Sequence, residues 1–567
     1  MKKKLFFALT FIIIISIGSV VLYAKIFYKR PYIVLVSPEN GSLGVSENAF
    51  VITNILRLPN GGIDSTSLNA NTVFLTEKAN GIKVPVQIST ENFGKILKLR
   101  PIEKLKLNSI YIFTITDGVK DISGKNFINH SDTFTTGSVP TSELLRVKFD
   151  KVKLPNSKGV HSSLTIGPDG KLYALCLDGL IKRFIIKEDG TLGAPELIYT
   201  LQDKYGKRIP RLAIGFEFEP SASDNNLVAW VTHSSFLLSD APDWDGKLTR
   251  LTGQNLEKAE DVLINLPRSI KDHLTNSIAF GPDGALYFTQ GSNTAMGDAD
   301  KTWGNRKEHL LSATVLRLDL RKLPTTLPLD CKTRDGGGTY DPYAAGAPLT
   351  IYATGIRNAY DLLWHSNGEL YVPTNGSAEG GNAPSSIYGY KKPDGTYYNG
   401  SLIPALVNIQ QVQKDFLFRV KKGGYYGHPN PLRGEYVMNG GNPTSSIDPA
   451  QTNAYPIGTM PDSNWRGYAF DFNKNKSPNG IIEYKSNTFN NALKGKLLVV
   501  RYSRGSDIIT LTTGGAEKDV VGFTEGIAIE GFYGFVLPLD LTEDLRNGNI
   551  YVAEFGGECI TLLRPKH

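Results

Sequence analysis

Short runs of alternating hydrophobic and polar residues dominate the chain after its first thirty residues. Between residues 31 and 138 such runs are separated by turn residues and show no sustained helical periodicity. They include Ala49–Ile55, Val73–Thr76, Val84–Ile88, Ile96–Leu99 and Ile110–Thr116. Alternation of this kind predicts half-buried strands. About a hundred residues with some seven short strands is typical of an immunoglobulin-like β-sandwich, which we predict here as a spacer without catalytic residues.

A second pattern repeats from residue 145 to residue 567. An apolar residue, a turn with Asp-Gly or Asn-Gly, and a strand with Tyr or Leu recur in that order. The clearest copies are Ile166–Tyr173 and Phe280–Tyr287, and weaker copies are His365–Tyr371, Leu493–Leu498 and Leu545–Tyr551. The glycine of such a turn supplies the positive φ that a tight hairpin needs. Radially repeated hairpins predict an all-β fold, a β-propeller with six blades, or alternatively seven.

The first thirty residues have a different composition. Lys2, Lys3 and Lys4 precede an apolar run from Leu5 to about Ala24. A run of about 20 residues is long enough to cross a bilayer as a helix. We predict an uncleaved membrane anchor over residues 1–30, with a cleaved secretory signal as the alternative. Both readings place the remainder of the chain outside the cytoplasm, in the periplasm or at the cell surface.

Charge and cysteine content narrow the functional classes. The chain has 62 Lys and Arg against 55 Asp and Glu, a net charge of +7, with no basic block beyond the N-terminus. This distribution gives no reason to expect a nucleic-acid partner. The three cysteines cannot form a disulfide framework, and pairing of Cys176 with Cys559 stays open beside three free thiols.

Three stretches of the repeating region carry candidate chemistry. His273 directly precedes a predicted strand, where a neutral imidazole held by a neighbour such as Asp272 could take a proton from an alcohol. Arg357 and Asn358 follow the predicted strand Leu349–Thr354, and a guanidinium beside an amide suits an anionic or quinone-type ligand. The glycine- and tyrosine-rich stretch from Lys421 to Asn430 could form a pocket wall. The alternative for each stretch is a purely structural role.

These stretches together resemble the glucose/sorbosone dehydrogenase family. The resemblance rests on His273 ahead of Ile278–Gly284, on Gly355–Asn358, and on Gly423–Asn430. It implies an extracytoplasmic six-bladed propeller that oxidises sugars with pyrroloquinoline quinone (PQQ) and calcium. The segment over residues 31–138 resembles the bacterial Ig-like domains of surface proteins, for example in Phe134-Thr-Thr-Gly.

The resemblance also implies roles for individual residues. His273 would be the general base, and Arg357 with Asn358 would polarise the quinone oxygens. Backbone carbonyls near Gly376 and Ser377 would hold calcium. Arg501 and Arg504 lie near the position of a cofactor-binding lysine of the family and would bind the cofactor. The loop Gly531–Phe535 has no charge where the family has a basic pair.

Two functional hypotheses follow from this pattern. The first is a membrane-tethered quinoprotein that oxidises aldoses and passes electrons to a separate acceptor, since the chain has no Cys-x-x-Cys-His haem motif. The second is a non-catalytic propeller that binds glycans or envelope material, which the uncharged loop favours. A hydrolytic propeller is a third reading, but the sequence shows no paired carboxylates or set of metal-ligating histidines.

Overall fold

The computed structural model describes residues 30–38, 40–45, 49–58, 61–91, 93–106, 109–136, 141–443, 450–515 and 517–566. The predicted membrane anchor, residues 1–30, lies outside the described residues except for Arg30. Within the described ranges, no helix is long and apolar enough to cross a membrane. The chain divides into two compact units with a boundary near residue 140.

The N-terminal unit is a sandwich of two β-sheets. Its strands are β1 (Tyr32–Ser37), β2 (Ser42–Val45), β3 (Val51–Arg57), β4 (Val73–Glu77), β5 (Ile82–Val84), β6 (Val86–Glu91), β7 (Ile96–Pro101), β8 (Ile110–Ile115) and β9 (His130–Thr136). One sheet has the order β1-β3-β7-β6 and the other β2-β9-β8-β4-β5. Alternate residues such as Leu75, Leu99 and Phe113 are fully buried between them, which confirms the predicted alternation.

One strand predicted for this unit is not a single strand in the structure. The run Val84–Ile88 is not continuous, because β5 ends at Val84 and β6 begins at Val86, in different sheets. Pro85 lies between them. Proline has no N–H to donate to a strand ladder and fixes its own φ, so the chain changes sheet at this position.

The second unit contains six sheets, each with at least four strands. Its strands are β10 (Thr141–Ser142), β11 (Phe149–Leu154), β12 (His161–Ile166), β13 (Leu172–Cys176), β14 (Ile181–Phe184), β15 (Glu196–Ile198), β16 (Arg211–Phe218), β17 (Val228–Ser235), β18 (Gly246–Thr252), β19 (Lys258–Leu266), β20 (Thr275–Phe280), β21 (Leu286–Gln290), β22 (Thr314–Leu318), β23 (Leu329–Asp330), β24 (Leu349–Thr354), β25 (Leu363–Trp364), β26 (Leu370–Thr374), β27 (Gly381–Ala383), β28 (Leu406–Ile409), β29 (Asp415–Val420), β30 (Phe470–Asn473), β31 (Pro478–Glu483), β32 (Leu497–Arg501), β33 (Asp507–Gly514), β34 (Asp519–Thr524), β35 (Pro538–Asp544), β36 (Asn549–Glu554) and β37 (Cys559–Pro565). The sheet orders are β12-β13-β14-β15, β16-β17-β18-β19-β23, β20-β21-β22-β24, β25-β26-β29-β30, β10-β34-β33-β32-β31 and β11-β37-β36-β35. The strands β27 and β28 form a separate pair.

Helices are short in the described chain. The one α-helix there is α1 (Thr200–Asp203). The three-ten helices are Ser65–Ser67, Pro155–Ser157, Lys301–Trp303, Leu320–Lys322, Arg334–Gly336, Pro431–Arg433, Thr488–Asn491 and Gly526–Ala528.

The six sheets close into a ring. Their first strands β12, β16, β20, β25, β31 and β35 contact one another in chain order, and β35 contacts β12 again. The last sheet combines β11 with the three final strands, with Phe149 opposite Pro565. Sheets arranged radially and closed by pairing the two ends of the unit form a β-propeller, as the repeating pattern predicted.

The repeated turn motif has one structural position. Gly170, Gly284, Gly368, Gly495 and Gly548 all have φ between 71° and 86°, and each lies between the first and second strand of its sheet. In the two strongest copies the Asp side chain also accepts a hydrogen bond from the tyrosine that follows, Tyr173 on Asp169 at 3.0 Å and Tyr287 on Asp283 at 3.1 Å. These tyrosines therefore anchor the turns to the second strands.

The three cysteines are free thiols. Cys176 and Cys331 are buried, and burial raises the pKa of the Cys176 thiol to about 12. Cys176 and Cys559, the pairing left open by the sequence, do not form a disulfide.

Candidate active site

His273 lies two residues before β20 and is buried, with 3% of its surface exposed. Its ring packs against the indole of Trp303, with ring centroids 4.1 Å apart and planes tilted by 39°. Trp303 is the last residue of the three-ten helix Lys301–Trp303. Asp300 caps this helix, because its carboxylate accepts a hydrogen bond from the Trp303 N–H. The sequence analysis missed Trp303, because it lies in an irregular connection without a motif.

Ser292, not Asp272, holds the His273 ring. The Nδ1 atom lies 3.0 Å from both the carbonyl oxygen and the Oγ of Ser292. The Ser292 hydroxyl donates its own proton to the Thr294 carbonyl at 2.9 Å. Both atoms facing Nδ1 are therefore acceptors, so we infer that Nδ1 carries the proton and Nε2 has the free lone pair. The predicted role of Asp272 was wrong, because its side chain is exposed to solvent.

The His273 imidazole is neutral. Burial, and next the Arg357 guanidinium, hold the pKa of His273 well below its ordinary value. Nε2 has no hydrogen-bond partner anywhere in the described ranges. A neutral ring with Nδ1–H fixed and Nε2 unpartnered has the form of a general base.

A buried carboxylate organises the loop that holds His273. Glu308 accepts hydrogen bonds from the backbone N–H groups of Asn293 at 3.1 Å and Thr294 at 2.9 Å. It also accepts from the Thr294 hydroxyl at 2.6 Å. Because Ser292 immediately precedes these residues, Glu308 fixes the acceptors that orient the His273 ring. Glu308 is thus a positioning residue.

Glu308 is paired with His428. The His428 Nε2 lies 2.9 Å from the Glu308 carboxylate, and both side chains are buried. Burial alone would raise the pKa of Glu308, but His428 and two hydroxyl donors outweigh it and lower the pKa to about 2. His428 belongs to the glycine- and tyrosine-rich stretch, for which a pocket wall was predicted. Both His428 and Tyr426 line the cavity beside Arg357.

Arg357 lies beside His273, since both side chains contact the Trp303 ring. We call His273, Arg357, Asn358 and the residues that hold them the His273 wall. The Arg357 Nε donates to the Ala295 carbonyl and its Nη1 to the Gly376 carbonyl, both at 3.0 Å. Its guanidinium lies 5.7 Å from the Trp303 ring. Burial lowers the pKa of Arg357 to about 10, so the guanidinium stays charged at neutral pH. The remaining nitrogen, Nη2, has no protein acceptor within the described part of the chain.

Asn358 and His273 flank Gly291. A Cβ at Gly291 would lie 2.7 Å from the His273 Cβ and 3.0 Å from the Asn358 Oδ1, so only glycine fits between them. The Asn358 Oδ1 accepts from Asn276 at 2.9 Å, which leaves its Nδ2 without an acceptor in the described chain. The Asn276 amide also donates to the Ala359 carbonyl at 2.9 Å, so it fixes Asn358 in place.

Gly355 lets this loop pack closely. It has φ +75°, and a Cβ there would lie 2.6 Å from the ring of Tyr425. The Gly355 carbonyl accepts from the His428 N–H at 2.8 Å. The glycine- and tyrosine-rich stretch therefore runs beside the Arg357 loop and supports it.

The predicted calcium carbonyls already accept protein hydrogen bonds. Gly376 accepts from Arg357 Nη1, and Ser377 accepts from the Gln413 N–H at 2.8 Å. The cavity beside Arg357 and Gly376 has a volume of about 30 Å³, room for about one or two water molecules. Within the described residues, no three His, Cys, Asp or Glu side chains form a group that could hold a metal. Each of the two carbonyls thus has one protein donor, and its second lone pair is the one that a cation would use.

The predicted cofactor cations Arg501 and Arg504 differ in their surroundings. Arg501 is buried, and it donates to Asp507 at 2.7 and 2.5 Å and to Glu525 as well. Two carboxylates therefore neutralise its guanidinium. Arg504 is exposed to solvent. The uncharged loop Gly531–Phe535 receives a cation from elsewhere, because Lys151 donates to the Tyr533 carbonyl at 2.9 Å.

The site offers more hydrogen-bond partners for a quinone oxygen and a hydroxyl than for carboxylates, the groups that the resemblance to quinoproteins implies. Three atoms on one wall lack protein partners in the described chain: His273 Nε2, Arg357 Nη2 and Asn358 Nδ2. They offer one base and two hydrogen-bond donors, which suits a hydroxyl substrate beside a quinone oxygen. Of the two arginines predicted to bind the cofactor carboxylates, Arg501 is neutralised by Asp507 and Glu525, and Arg504 is exposed to solvent.

The described strands thus form an all-β propeller that carries a buried histidine beside an arginine. Residues 28–136 match the family model for the bacterial Ig-like domain. Quinoprotein glucose dehydrogenase B of Acinetobacter calcoaceticus is 25% identical over 288 residues, covering 44% of this chain and 55% of that protein. The chain thus spans about half the length of the curated relative it matches.

Solved structures with similar folds include two sugar dehydrogenases. The PQQ-bound form of aldose sugar dehydrogenase from Streptomyces coelicolor has a TM-score of 0.43 and 17% identity, covering 76% of this chain and 100% of that one. The holo form of the PQQ domain of pyranose dehydrogenase from Coprinopsis cinerea has a TM-score of 0.46 and 11% identity, covering 75% and 99%.

Proposed function

We propose that this protein is a quinoprotein sugar dehydrogenase, built on a six-bladed propeller and held outside the cytoplasm by the N-terminal segment. The observation that carries the proposal is the orientation of His273, with Nδ1–H fixed on Ser292 and Nε2 free. The 25% identity to quinoprotein glucose dehydrogenase B supports the same class. Aldoses are the proposed substrates, and a separate carrier takes the electrons.

The proposed chemistry at this wall is a proton transfer beside a hydride transfer. His273 Nε2 accepts the proton of a sugar hydroxyl. Arg357 Nη2 and Asn358 Nδ2 donate hydrogen bonds to oxygens of the acceptor. PQQ, when bound, supplies the electrophilic carbon that takes the hydride. The fixed guanidinium costs no reorganisation as negative charge develops.

The decisive experiment is titration of the full chain with PQQ, followed by absorbance and by dye-coupled glucose oxidation. We expect saturable binding and turnover, with the rate reduced about 10²–10⁴-fold in His273→Ala. Arg357→Gln should weaken PQQ binding. His365→Ala, which removes another buried histidine, is the matched control and should keep the rate. No saturable binding at tens of micromolar PQQ, in a folded protein, would sink the proposal.

Calcium and pH offer two further readouts of this assay. Because the Gly376 and Ser377 carbonyls each already accept a protein hydrogen bond, we expect PQQ binding to be the same with calcium and with a chelator. Because the pKa of His273 is well below its ordinary value of about 6.5, kcat/KM should stay level between about pH 6 and 8. A tenfold loss of affinity in chelator would contradict this expectation and would favour calcium binding at Gly376 and Ser377.

A second candidate function rests on Arg501. If its ion pairs with Asp507 and Glu525 deny the cofactor a cation, the propeller would be a non-catalytic binding module for glycans or envelope material. Absence of PQQ binding together with saturable glycan binding would favour this function.

A further inference from the structure

A large cleft lies in the propeller unit away from the His273 wall. Its volume is about 630 Å³, and it is bordered by β24, by the connection between β27 and β28 and by the connection between β29 and β30. It shares no lining residue with the small cavity beside Arg357. A cleft of this size can hold a ligand of several rings.

Tyrosines form the rim of the cleft. Tyr343 is 40% exposed and Tyr397 is 55% exposed. Tyr352 and Tyr398 lie further in, and Tyr398 is fixed by a hydrogen bond from its hydroxyl to the Ser401 carbonyl at 2.7 Å. Exposed aromatic rings around a polar cleft are a feature of ligand-binding surfaces.

A buried arginine with an unused nitrogen lines the cleft. Arg433 is 7% exposed, and its Nε pairs with Glu435 at 2.9 Å. Its Nη1 donates to the Leu310 and Ser312 carbonyls at 2.8 and 2.9 Å. Its Nη2 is buried and has no hydrogen-bond partner among the residues described. A buried donor without an acceptor is costly unless a ligand or water supplies one.

A second polar group at the cleft is Asp462. Its carboxylate accepts from the backbone N–H groups of Tyr436 at 3.3 Å and Val437 at 3.2 Å. Burial, and then Glu435, raise the pKa of Asp462 to about 7. Near neutral pH this side chain can therefore both donate and accept hydrogen bonds.

The balance of charges selects the class of ligand. Three acids line the cleft, Asp394, Glu435 and Asp462, against two bases, Lys392 and Arg433. Lys392 lies 3.3 Å from Asp394 and so is already paired. An anionic ligand would find no free positive charge beyond one arginine nitrogen, and an apolar ligand would bury unpaired polar groups.

We propose that this cleft binds a neutral saccharide. Sugars present hydroxyls that donate and accept, and apolar C–H faces that stack on aromatic rings, which matches the exposed tyrosines and the mixed donors of the cleft. The site is separate from the His273 wall and is independent of the proposed dehydrogenase activity.

The test is saccharide titration of the full chain without cofactor. Cellotriose, maltotriose and triacetylchitotriose are the probes, with calorimetry and saturation-transfer NMR as the measurements. At least one should bind with a Kd of about 0.1–1 mM, corresponding to a modest binding free energy. Tyr397→Ala should weaken that binding about three- to tenfold through loss of one ring contact. Tyr388→Ala is the matched control, because Tyr388 is 67% exposed and lies outside the cleft lining.

The outcomes decide between the ligand classes and the two sites. His273→Ala should keep full saccharide affinity, so failure of the dehydrogenase proposal and failure of this one are distinguishable. No binding of the three probes at about 10 mM, the weak limit of specific recognition, would overturn the proposal. So would equal loss in Tyr397→Ala and Tyr388→Ala, or tighter binding of trigalacturonate than of the neutral probes.

Discussion

The His273 wall and the tyrosine-lined cleft lie in the same propeller unit but are built in opposite ways. At the wall, Ser292 holds His273, and the buried pair of Glu308 and His428 holds the backbone that follows Ser292. The adjoining cavity has a volume of only about 30 Å³. At the cleft, about 630 Å³ is open and two tyrosine rings face solvent.

The difference is one of preorganisation. A proton-transfer site needs its base fixed to within a fraction of an ångström by supporting groups, whereas a saccharide site needs area and adaptable donors. The wall therefore depends on buried electrostatic pairs, and the cleft on surface-exposed rings. Variants that disturb each region should differ in how much folding stability they remove.

The largest effect is expected at Glu308. Glu308→Ala leaves His428 and two backbone N–H groups buried without their acceptor, which should reduce the free energy of unfolding by about 3–5 kcal/mol. Glu260→Ala is the matched control, because Glu260 forms an exposed pair with Arg250 at 2.6 Å, and such pairs contribute about 1 kcal/mol or less. Urea unfolding measures both. Equal losses in the two variants would show that the wall is no more preorganised than the surface.

Acid should weaken the wall through the same carboxylate. The pKa of Glu308 is about 2 in the folded protein, below its ordinary value of about 4.3. The unfolded chain therefore binds more protons between these values. The stabilisation by Glu308 is complete above about pH 5 and is lost as pH falls through 2, an effect of order 2–3 kcal/mol.

Glu308→Gln separates this contribution from those of other acids. The variant should show a flatter fall in stability between about pH 5 and 2 than the parent protein, as followed by urea midpoints. Parallel curves for the two proteins would mean that Glu308 does not carry the acid sensitivity.

A pH-dependent effect of opposite sign is expected in the cleft. The pKa of Asp462 is raised to about 7 in the folded protein, so the folded state binds the proton more tightly and stability falls as pH rises toward 7. Asp462→Asn removes this penalty. Its melting temperature should exceed that of the parent protein at pH 8, with the gain shrinking at pH 5. A gain that does not depend on pH would contradict the raised pKa.

The repeating part of the fold could be predicted because its signal is local. The turn glycines and the tyrosines of the second strands lie a few residues apart, and their geometry follows from the hairpin itself. The remaining sheet, which begins with β16, carries no copy of the motif, because the connection between β16 and β17 contains no glycine. Five copies therefore accompany six sheets.

The partners of the candidate residues were harder to predict. Asp272 is adjacent to His273, but its side chain is exposed while His273 is buried, and the partner Ser292 lies beyond the hairpin of β20 and β21. Glu308 belongs to the irregular connection between β21 and β22, which carries no motif. The supporting groups come from tertiary packing and left no local pattern.

The pairing of Arg501 with Asp507, in contrast, could have been predicted from the sequence. Arg501 ends β32, Asp507 begins β33, and the two residues are opposite each other in the hairpin. Opposite charges at such a spacing across a glycine-containing turn commonly pair across strands. The cleft, in contrast, is formed by connections of irregular sequence, and neither its tyrosines nor Arg433 stood out before the fold was known.

The smallest effect is expected for the exposed tyrosine of the cleft. Tyr397→Ala removes a ring that is 55% exposed, so the free energy of unfolding should change by no more than about 0.5 kcal/mol. The same variant should still lose saccharide affinity, which separates a binding surface from a packing surface. Tyr398→Ala is the contrast, because the Tyr398 ring is buried against Tyr436 with centroids 4.7 Å apart. If Tyr397→Ala proved as destabilising in urea as Tyr398→Ala, the rim would be part of the core, and the cleft would not be the open counterpart of the His273 wall.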